Sequence, residues 1–169
     1  MDLQIRIAGI INESIADGPG IRMVVFTQGC SHNCPDCHNP QTHPCDAGEV
    51  IEIDRILSDI KKNPLLDGIT LSGGDPFEQA SVCSVLAGEV KKLGLNVITY
   101  TGYTYEQLLD LSEQREGYAE LLKNTDLLVD GPFILSRKDL LLKFRGSSNQ
   151  RIIDMNKTRM QGELVLAQI

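Results

Sequence analysis

Short apolar runs alternate with segments of helical periodicity along most of this chain, and this alternation constrains the fold more than any other feature. Strand-like apolar runs occupy residues 21–27, 68–71, 95–100 and 126–130, and the first of them is rich in β-branched and aromatic residues. Between them, apolar residues recur every three or four positions, as they do on one face of a helix. Strands that alternate with helices are joined by crossovers, which favour a mainly parallel sheet. The sequence therefore predicts an α/β fold.

Chain length decides how far such a sheet extends. A strand–helix–strand unit takes about 30 residues, so 169 residues hold about five or six strand–helix units. A closed eight-fold barrel takes about 250 residues. The chain contains no linker-like stretch, and its 41% of hydrophobic residues can form a packed core. We therefore expect one domain over residues 1–169, folded as a partial (β/α) barrel.

Local signals place several elements along the chain. Residues 3–11 are expected to form the first strand, and helical spacing over residues 53–62 predicts a helix. Thr104 with Gln107 three residues later fits a capping box, which opens a further helix. The tail is less regular, and a short helix is expected near Leu140.

Residues that could bind a ligand or take part in a reaction follow the ends of the predicted strands. Cys30 comes just after the run 21–27, a glycine-rich turn with the sequence SGGDP occupies residues 72–76, and Asp130 ends the run 126–130. In open parallel sheets, ligands bind at the carboxyl ends of the strands. We therefore expect these residues to meet in one site.

Three of the five cysteines fall within eight residues, at Cys30, Cys34 and Cys37. Three thiolates on one short loop can cap three corners of an iron–sulfur cube and leave the fourth iron open to a small molecule. The alternative is a structural zinc site, which needs a fourth ligand. Candidates for that ligand are His32, His38, His43 and Cys45. The spacing of the three cysteines favours an iron–sulfur cluster but does not exclude a zinc site.

The two remaining cysteines have simpler interpretations. Cys83 lies on the apolar face of a predicted helix, where a thiol behaves as a small hydrophobic group. Cys45 is expected to be a loop thiol.

The charge balance excludes some partners. The chain carries 16 Lys and Arg against 23 Asp and Glu, a net charge of −7 with an isoelectric point near 4.9. This argues against nucleic-acid binding, which requires a basic face. No apolar run approaches the roughly 20 residues that span a bilayer, and the N-terminal residues do not look like a signal peptide. We expect a cytoplasmic protein without a membrane partner.

Taken together, the motifs resemble those of the radical S-adenosylmethionine (SAM) superfamily. The spacing CxxxCxxC and the SGGDP turn are similar to its cluster loop and its SAM-binding turn. The stretch DGPGIR at residues 17–22 resembles the entry of glycyl-radical-enzyme activases. TGY at 101–103, VDG at 129–131 and FRGSSNQR at 144–151 resemble the activases of anaerobic ribonucleotide reductases. Asp75 departs from the common Glu, and His38 from the common aromatic residue.

The resemblance implies a fold of radical SAM type and two cofactors. One is a [4Fe–4S] cluster held by Cys30, Cys34 and Cys37, and the other is SAM. A reduced cluster would cleave SAM to methionine and a 5′-deoxyadenosyl radical. The residues expected to contact SAM are Asp36, Cys37, His38, Ser72, Gly73, Gly74, Asp75 and Asp130. From the residues alone, Asp75 has a second interpretation, as the cap of a helix that starts at Pro76.

The resemblance also implies a protein substrate. The radical would abstract a hydrogen from a glycine of an anaerobic ribonucleotide reductase, and a flavodoxin-like protein or another one-electron donor would reduce the cluster. The residues expected to hold the partner's glycine segment are Arg145, Ser147, Ser148, Asn149 and Arg151. The alternative for this stretch is a solvated loop.

Two other functions stay open. One keeps the chemistry but changes the partner to a formate-lyase-type enzyme. The other is a small zinc-binding interaction module without catalysis.

Overall fold

One mixed sheet runs through the part of the chain that the structure describes, residues 3–30 and 47–168 of a computed structural model. Its seven strands are β1 (Gln4–Ser14), β2 (Arg22–Thr27), β3 (Glu49–Glu52), β4 (Gly68–Gly73), β5 (Asn96–Tyr100), β6 (Leu127–Asp130) and β7 (Arg151–Asp154). They lie in the order β3-β1-β2-β4-β5-β6-β7.

The four central strands of this sheet are parallel. The strands β2, β4, β5 and β6 pair in register as parallel neighbours, for example Val25 with Leu71 and Leu71 with Thr99. The outer strands β1, β3 and β7 pair antiparallel. This confirms the predicted α/β partial barrel with a mainly parallel sheet. The first expected strand, residues 3–11, is longer than predicted and runs opposite to β2, while β3 was not predicted.

Five helices connect or flank the described strands. They are α1 (Ile53–Lys61), α2 (Ala80–Lys92), α3 (Tyr105–Leu111), α4 (Tyr118–Lys123) and α5 (Met155–Gln161), with 3₁₀ turns at Pro76–Gln79 and Leu135–Arg137. The predicted capping box is confirmed, because the Thr104 hydroxyl accepts from the Gln107 N–H and the Gln107 side chain accepts from the Thr104 N–H. Within the described ranges, no helix is both long enough and apolar enough to cross a membrane.

The short helix expected near Leu140 is present as the 3₁₀ turn Leu135–Arg137, which ends before Leu140. Residues 137–148 form a hairpin-like loop, in which the Ser148 N–H donates to the Arg137 carbonyl and Lys138 bridges antiparallel to Ser147. Leu140 lies in the bend of this loop and is exposed. Backbone N–H and C=O groups of this loop pair with each other across the loop and therefore need no helix.

The two faces of the sheet have different surroundings. Strand side chains alternate between the faces, so Val97 of β5 joins the main core with the helices while Ile98 and Tyr100 lie on the other face. The same alternation puts Phe26 of β2 and Ser72 of β4 on that second face, where both line a cavity. The helices and the main core therefore close one face of the sheet, and the cavity occupies the other.

Candidate active site

A cavity of about 750 Å³ opens at the carboxyl ends of the parallel strands. This volume lies within the range of about 300–1,000 Å³ that small-molecule sites occupy. Its wall combines the end of β2, the turn after β4, the end of β5 and the loop after β6. Among its lining residues are Asp17, Phe26, Cys30, Ser72, Gly73, Gly74, Tyr100, Thr101, Gly131, Phe133, Leu140, Leu142, Phe144, Arg145 and Gln150.

Cys30 lies at this wall, directly after β2. The backbone before it is fixed, because the carbonyl of Gly29 accepts from the Asp75 N–H at 2.8 Å and the carbonyl of Thr27 accepts from the Gly74 N–H at 2.8 Å. The structure therefore holds the start of the cysteine loop against the glycine-rich turn. The remaining predicted residues of that loop, Cys34, Asp36, Cys37 and His38, lie outside the described residues, as do the alternative ligands His32, His43 and Cys45.

The two glycines of the turn have different roles. Gly73 has a φ of 97°, and a Cβ there would lie 2.5 Å from both the backbone N and the backbone O of Thr27. Gly73 is thus required by the close approach of β2 to β4. Both glycines are expected, from the resemblance, to contact SAM. Gly74 lines the cavity, and because its N–H is donated to Thr27, its carbonyl oxygen is the polar backbone group it can offer a ligand.

Asp75 is fully buried and binds protein groups on two sides. One carboxylate oxygen accepts from the Phe77 N–H at 3.0 Å, which confirms the capping interpretation. The other accepts from the Thr101 hydroxyl at 2.9 Å and from the Gly102 N–H at 3.0 Å. Asp75 is not among the residues that line the cavity. Its position makes it a support that joins the turn to the end of β5, and gives no support to the expected contact with SAM.

Asp130 is also a support behind the wall. Its side chain is 1% exposed and accepts from the Tyr105 N–H at 2.8 Å and from the Arg151 Nε at 3.0 Å. Arg151 also donates to Glu106 at 2.7 Å. None of these residues lines the cavity. The structure therefore joins Asp130, expected at SAM, to Arg151, expected at the partner, in one ion pair that links β6, β7 and α3.

The serines and the asparagine of the expected partner-binding stretch hold the loop itself together. Ser147 is fully buried and donates to the Asn149 Oδ1 at 2.6 Å, while the Asn149 Nδ2 donates to the Pro132 carbonyl at 2.8 Å. Ser148 accepts from the Arg137 Nε at 3.0 Å. These hydrogen bonds give the loop a defined shape. Neither partner binding nor solvation alone, the two roles considered from the sequence, accounts for this internal bonding.

Of the five residues expected to hold the partner's glycine segment, Arg145 lines the cavity. Its Nη1 donates to the Gln150 carbonyl at 2.9 Å. Its Nε is buried and has no hydrogen-bond partner, and it is the one such side-chain atom among the described residues. An unsatisfied buried donor costs about 1–3 kcal/mol, so an acceptor on a ligand would relieve this cost.

Tyr100 is a wall residue that the sequence analysis missed. Its hydroxyl donates to the Phe144 carbonyl at 2.7 Å, and Phe144 has a left-handed backbone with a φ of 61°. Burial, together with Asp17, raises the pKa of Tyr100, so the phenol stays protonated and remains a donor. The usable signal was its place as the last residue of a strand, on the same face as Ile98.

A buried arginine shapes the neighbouring turn at residues 17–20. Arg22 is fully buried and donates to the Thr70 hydroxyl at 2.9 Å and to the carbonyls of Pro19 at 3.1 Å and Ile69 at 2.6 Å. Burial lowers its pKa to about 10, against an opposing effect of Asp67. Thr70 in turn donates to the Asp17 carbonyl at 2.8 Å. This network fixes the turn so that Asp17 lies at the cavity wall.

Cys83 lies apart from the site, on α2. It is fully buried, and this burial, with a smaller effect of Asp75, raises the pKa of its thiol to about 12. The interpretation as a small hydrophobic residue is confirmed.

Comparison with known proteins defines the class to which this fold and site belong. Residues 16–153 match the family described as a 4Fe-4S single cluster domain. The crystal structure of QueE from Escherichia coli aligns with 60% of this chain and 53% of its own, at 17% identity and a TM-score of 0.49, and nothing further follows from it.

Sequence relatives are more specific. The chain is 34% identical over 145 residues to the anaerobic ribonucleoside-triphosphate reductase-activating protein of Salmonella typhi, covering 80% of this chain and 90% of the relative. It is 37% identical over 147 residues to that of Vibrio cholerae, covering 82% and 90%, and 33% identical over 145 residues to that of Escherichia coli K12, covering 80% and 90%. The chain therefore belongs to the family of anaerobic ribonucleoside-triphosphate reductase-activating proteins.

Proposed function

We propose that this protein is a radical SAM activase that cleaves SAM at a [4Fe–4S] cluster and generates a glycyl radical on anaerobic ribonucleoside-triphosphate reductase. The observation that carries the proposal is the position of Cys30 beside the glycine-rich turn, at the wall of a ligand-sized cavity, in a chain of this family. When bound, the cluster supplies the electron that cleaves SAM, and SAM supplies the radical that removes a hydrogen from the glycine.

The cluster would be held by Cys30, Cys34 and Cys37. The donor set fits, since Cys thiolates are the usual ligands of such a cluster and three of them would leave one iron for SAM. The hydrogen bonds from the turn to Thr27 and Gly29 would fix where the first ligand stands. The 4Fe-4S family match supports iron–sulfur over zinc.

SAM would lie along Ser72, Gly73 and Gly74, which line the cavity. The carbonyl oxygen of Gly74 is suited to accept from the ammonium group of SAM, because carbonyls accept and ammonium groups donate. Asp75 and Asp130 would contribute indirectly by fixing the wall. Contacts from Asp36, Cys37 and His38 remain proposals.

The partner's glycine segment would enter from the side of the loop after β6. The buried Nε of Arg145 is a donor in need of an acceptor, and a peptide carbonyl or a carboxylate supplies one. A flavodoxin-like protein as the electron donor and a cytoplasmic location are part of the proposal.

The first experiment is anaerobic reconstitution of the wild type and of cysteine variants. We expect about four irons per chain and reductive formation of 5′-deoxyadenosine in the wild type, and loss of both in Cys30→Ala, Cys34→Ala and Cys37→Ala. Cys45→Ala and Cys83→Ala are the matched controls and should keep both. One zinc in place of the cluster would refute the proposal, and loss of iron in Cys45→Ala would refute the ligand assignment.

The second experiment identifies the partner by electron paramagnetic resonance. After incubation with activase, SAM and reductant, we expect a glycyl doublet on anaerobic ribonucleotide reductase. A doublet only on a formate-lyase-type enzyme would overturn the choice of partner while leaving the radical chemistry intact.

A further inference from the structure

The loop between β6 and β7 presents an ordered tip at the mouth of the cavity. Its base is closed by Arg137 with Ser148 and by the antiparallel bridge of Lys138 with Ser147. We call residues 140–145, which lie beyond this base, the tip. The backbone of the tip is held at its start, where the Leu141 N–H donates to the Asp139 Oδ1 at 2.9 Å. It is held near its end by the bond from Tyr100 to the Phe144 carbonyl.

The tip exposes large apolar side chains. Leu140 is 83% exposed and Leu141 is 93% exposed. Adjacent leucines in water on a fixed loop contribute nothing to the core, and each is worth about 1.5–3 kcal/mol when fully buried. Clustered exposed apolar residues, unlike single ones, mark contact surfaces.

The loop that carries the tip is also basic in an acidic protein. Residues 137–145 carry four cations and the single acid Asp139, a net charge of +3 in a chain of net charge −7. The cations at Lys138 and Lys143 are exposed. An acidic surface would be attracted to this loop, whereas a second copy pairing tip to tip would bring like charges together.

The tip is continuous with the cavity. Leu140, Leu142, Phe144 and Arg145 all line it. A chain that lies on the tip would therefore also contact the wall of the cavity.

We propose that the tip, together with Lys138 at its base, is the docking surface for an acidic and apolar segment of the reductase next to its reactive glycine. This rests on the proposed function and adds to it the surface that recognises the partner. Leu140 and Leu141 supply the apolar contact, and Lys138 and Lys143 supply the attraction. A preformed loop binds with less loss of conformational entropy than a mobile one.

The test uses the reconstituted activase and whole reductase under anaerobic conditions. Leu141→Asp should raise the Kd for the reductase about tenfold or more, as loss of an interface anchor does. Lys143→Glu should slow association severalfold at low salt, with the difference shrinking at about 0.5 M salt. Met160→Asp and Lys157→Glu, at exposed positions on α5, are the matched controls and should bind like the wild type.

Formation of 5′-deoxyadenosine without reductase should be unchanged in all four variants, because neither Leu141 nor Lys143 lines the cavity. The yield of glycyl radical should fall in Leu141→Asp and be restored at high reductase concentration. Failure of the wild type to bind the reductase would refute the proposed function itself.

Other outcomes would overturn this inference alone. In one, the wild type binds the reductase and Leu141→Asp binds equally well. In another, Leu141→Asp abolishes only self-association in sedimentation or only binding to vesicles of anionic phospholipid, while the Kd for the reductase stays the same.

Discussion

At the scale of single residues, Gly73 shows how a position in the site can be dictated by the sheet. Its backbone has positive φ, and the space of a Cβ is already filled by backbone atoms of Thr27. Those atoms belong to the strand that leads into Cys30. An added methyl group would thus push apart the two chain segments that form the site wall.

We predict that Gly73→Ala lowers the free energy of unfolding by about 3 kcal/mol or more. Left-handed backbone costs a non-glycine residue about 1–2 kcal/mol, and the clash with Thr27 adds to it. Gly162→Ala is the matched control, since Gly162 also has positive φ, at 71°, but has no atom within 4 Å of the added Cβ. Urea unfolding measures both variants, and equal losses would show that the contact with Thr27 does not matter.

At the scale of elements, an ion pair connects three of them. Arg151 on β7 lies opposite Asp130 on β6 in the antiparallel register and donates to it and to Glu106 on α3. The two carboxylates differ in surroundings, because the side chain of Asp130 is 1% exposed and that of Glu106 is 59% exposed. The pair of Arg151 with the buried Asp130 should therefore contribute more to stability than the pair with the exposed Glu106.

We predict that Arg151→Ala lowers the free energy of unfolding by about 2–3 kcal/mol, since it leaves a buried carboxylate without its cation. This is less than the roughly 3–5 kcal/mol that breaking a fully buried pair costs, because Arg151 itself is partly exposed. Glu106→Ala removes the exposed partner of the same arginine and should cost less than about 1 kcal/mol. Thermal or urea unfolding of both variants decides this. A larger loss in Glu106→Ala would contradict the assignment.

At the scale of the whole molecule, Asp126 ties the sheet to helices from two parts of the chain. Its carboxylate accepts from the Lys91 Nζ on α2 at 2.7 Å, from the Val97 N–H on β5 at 2.8 Å and from the Asn156 Nδ2 on α5 at 3.0 Å. Burial raises the pKa of Asp126, but these hydrogen bonds outweigh it and bring the pKa below its usual value.

We predict that this site contributes to acid unfolding. Because its pKa is lower in the folded chain than the value of about 3.9 in an unfolded one, the contribution is complete above about pH 4. It is lost as the pH falls through the folded pKa. Asp126→Asn should reduce stability at pH 7 by about 1–3 kcal/mol and flatten its decline below about pH 4.

The control is Asp59→Asn, which makes the same change of charge at an exposed position on α1. Urea midpoints from pH 7 down to pH 3 compare the two variants with the wild type. An equal slope in Asp126→Asn and the wild type would contradict the prediction.

Features that depend on neighbours in the chain could be predicted from the sequence. The alternation of strands and helices, the capping box at Thr104 and the buried Cys83 are all of this kind. Each depends on a period of two or about 3.6 residues or on a contact three residues along. The fold class follows from them, since only a few topologies satisfy the connection rules.

What the tertiary structure alone decided is which distant side chains meet. The pattern of residues placed Asp75 and Asp130 at strand ends and Arg151 in the stretch expected to bind the partner, but whether they face the cavity depends on donors and acceptors from other elements. Thr101 and Gly102, which follow β5, donate to Asp75 from 26 and 27 residues away in the sequence. A buried charged or polar side chain is oriented toward its hydrogen-bond partners, because leaving it unpaired costs several kcal/mol. Those partners are set by the packing of the sheet, which no local period encodes.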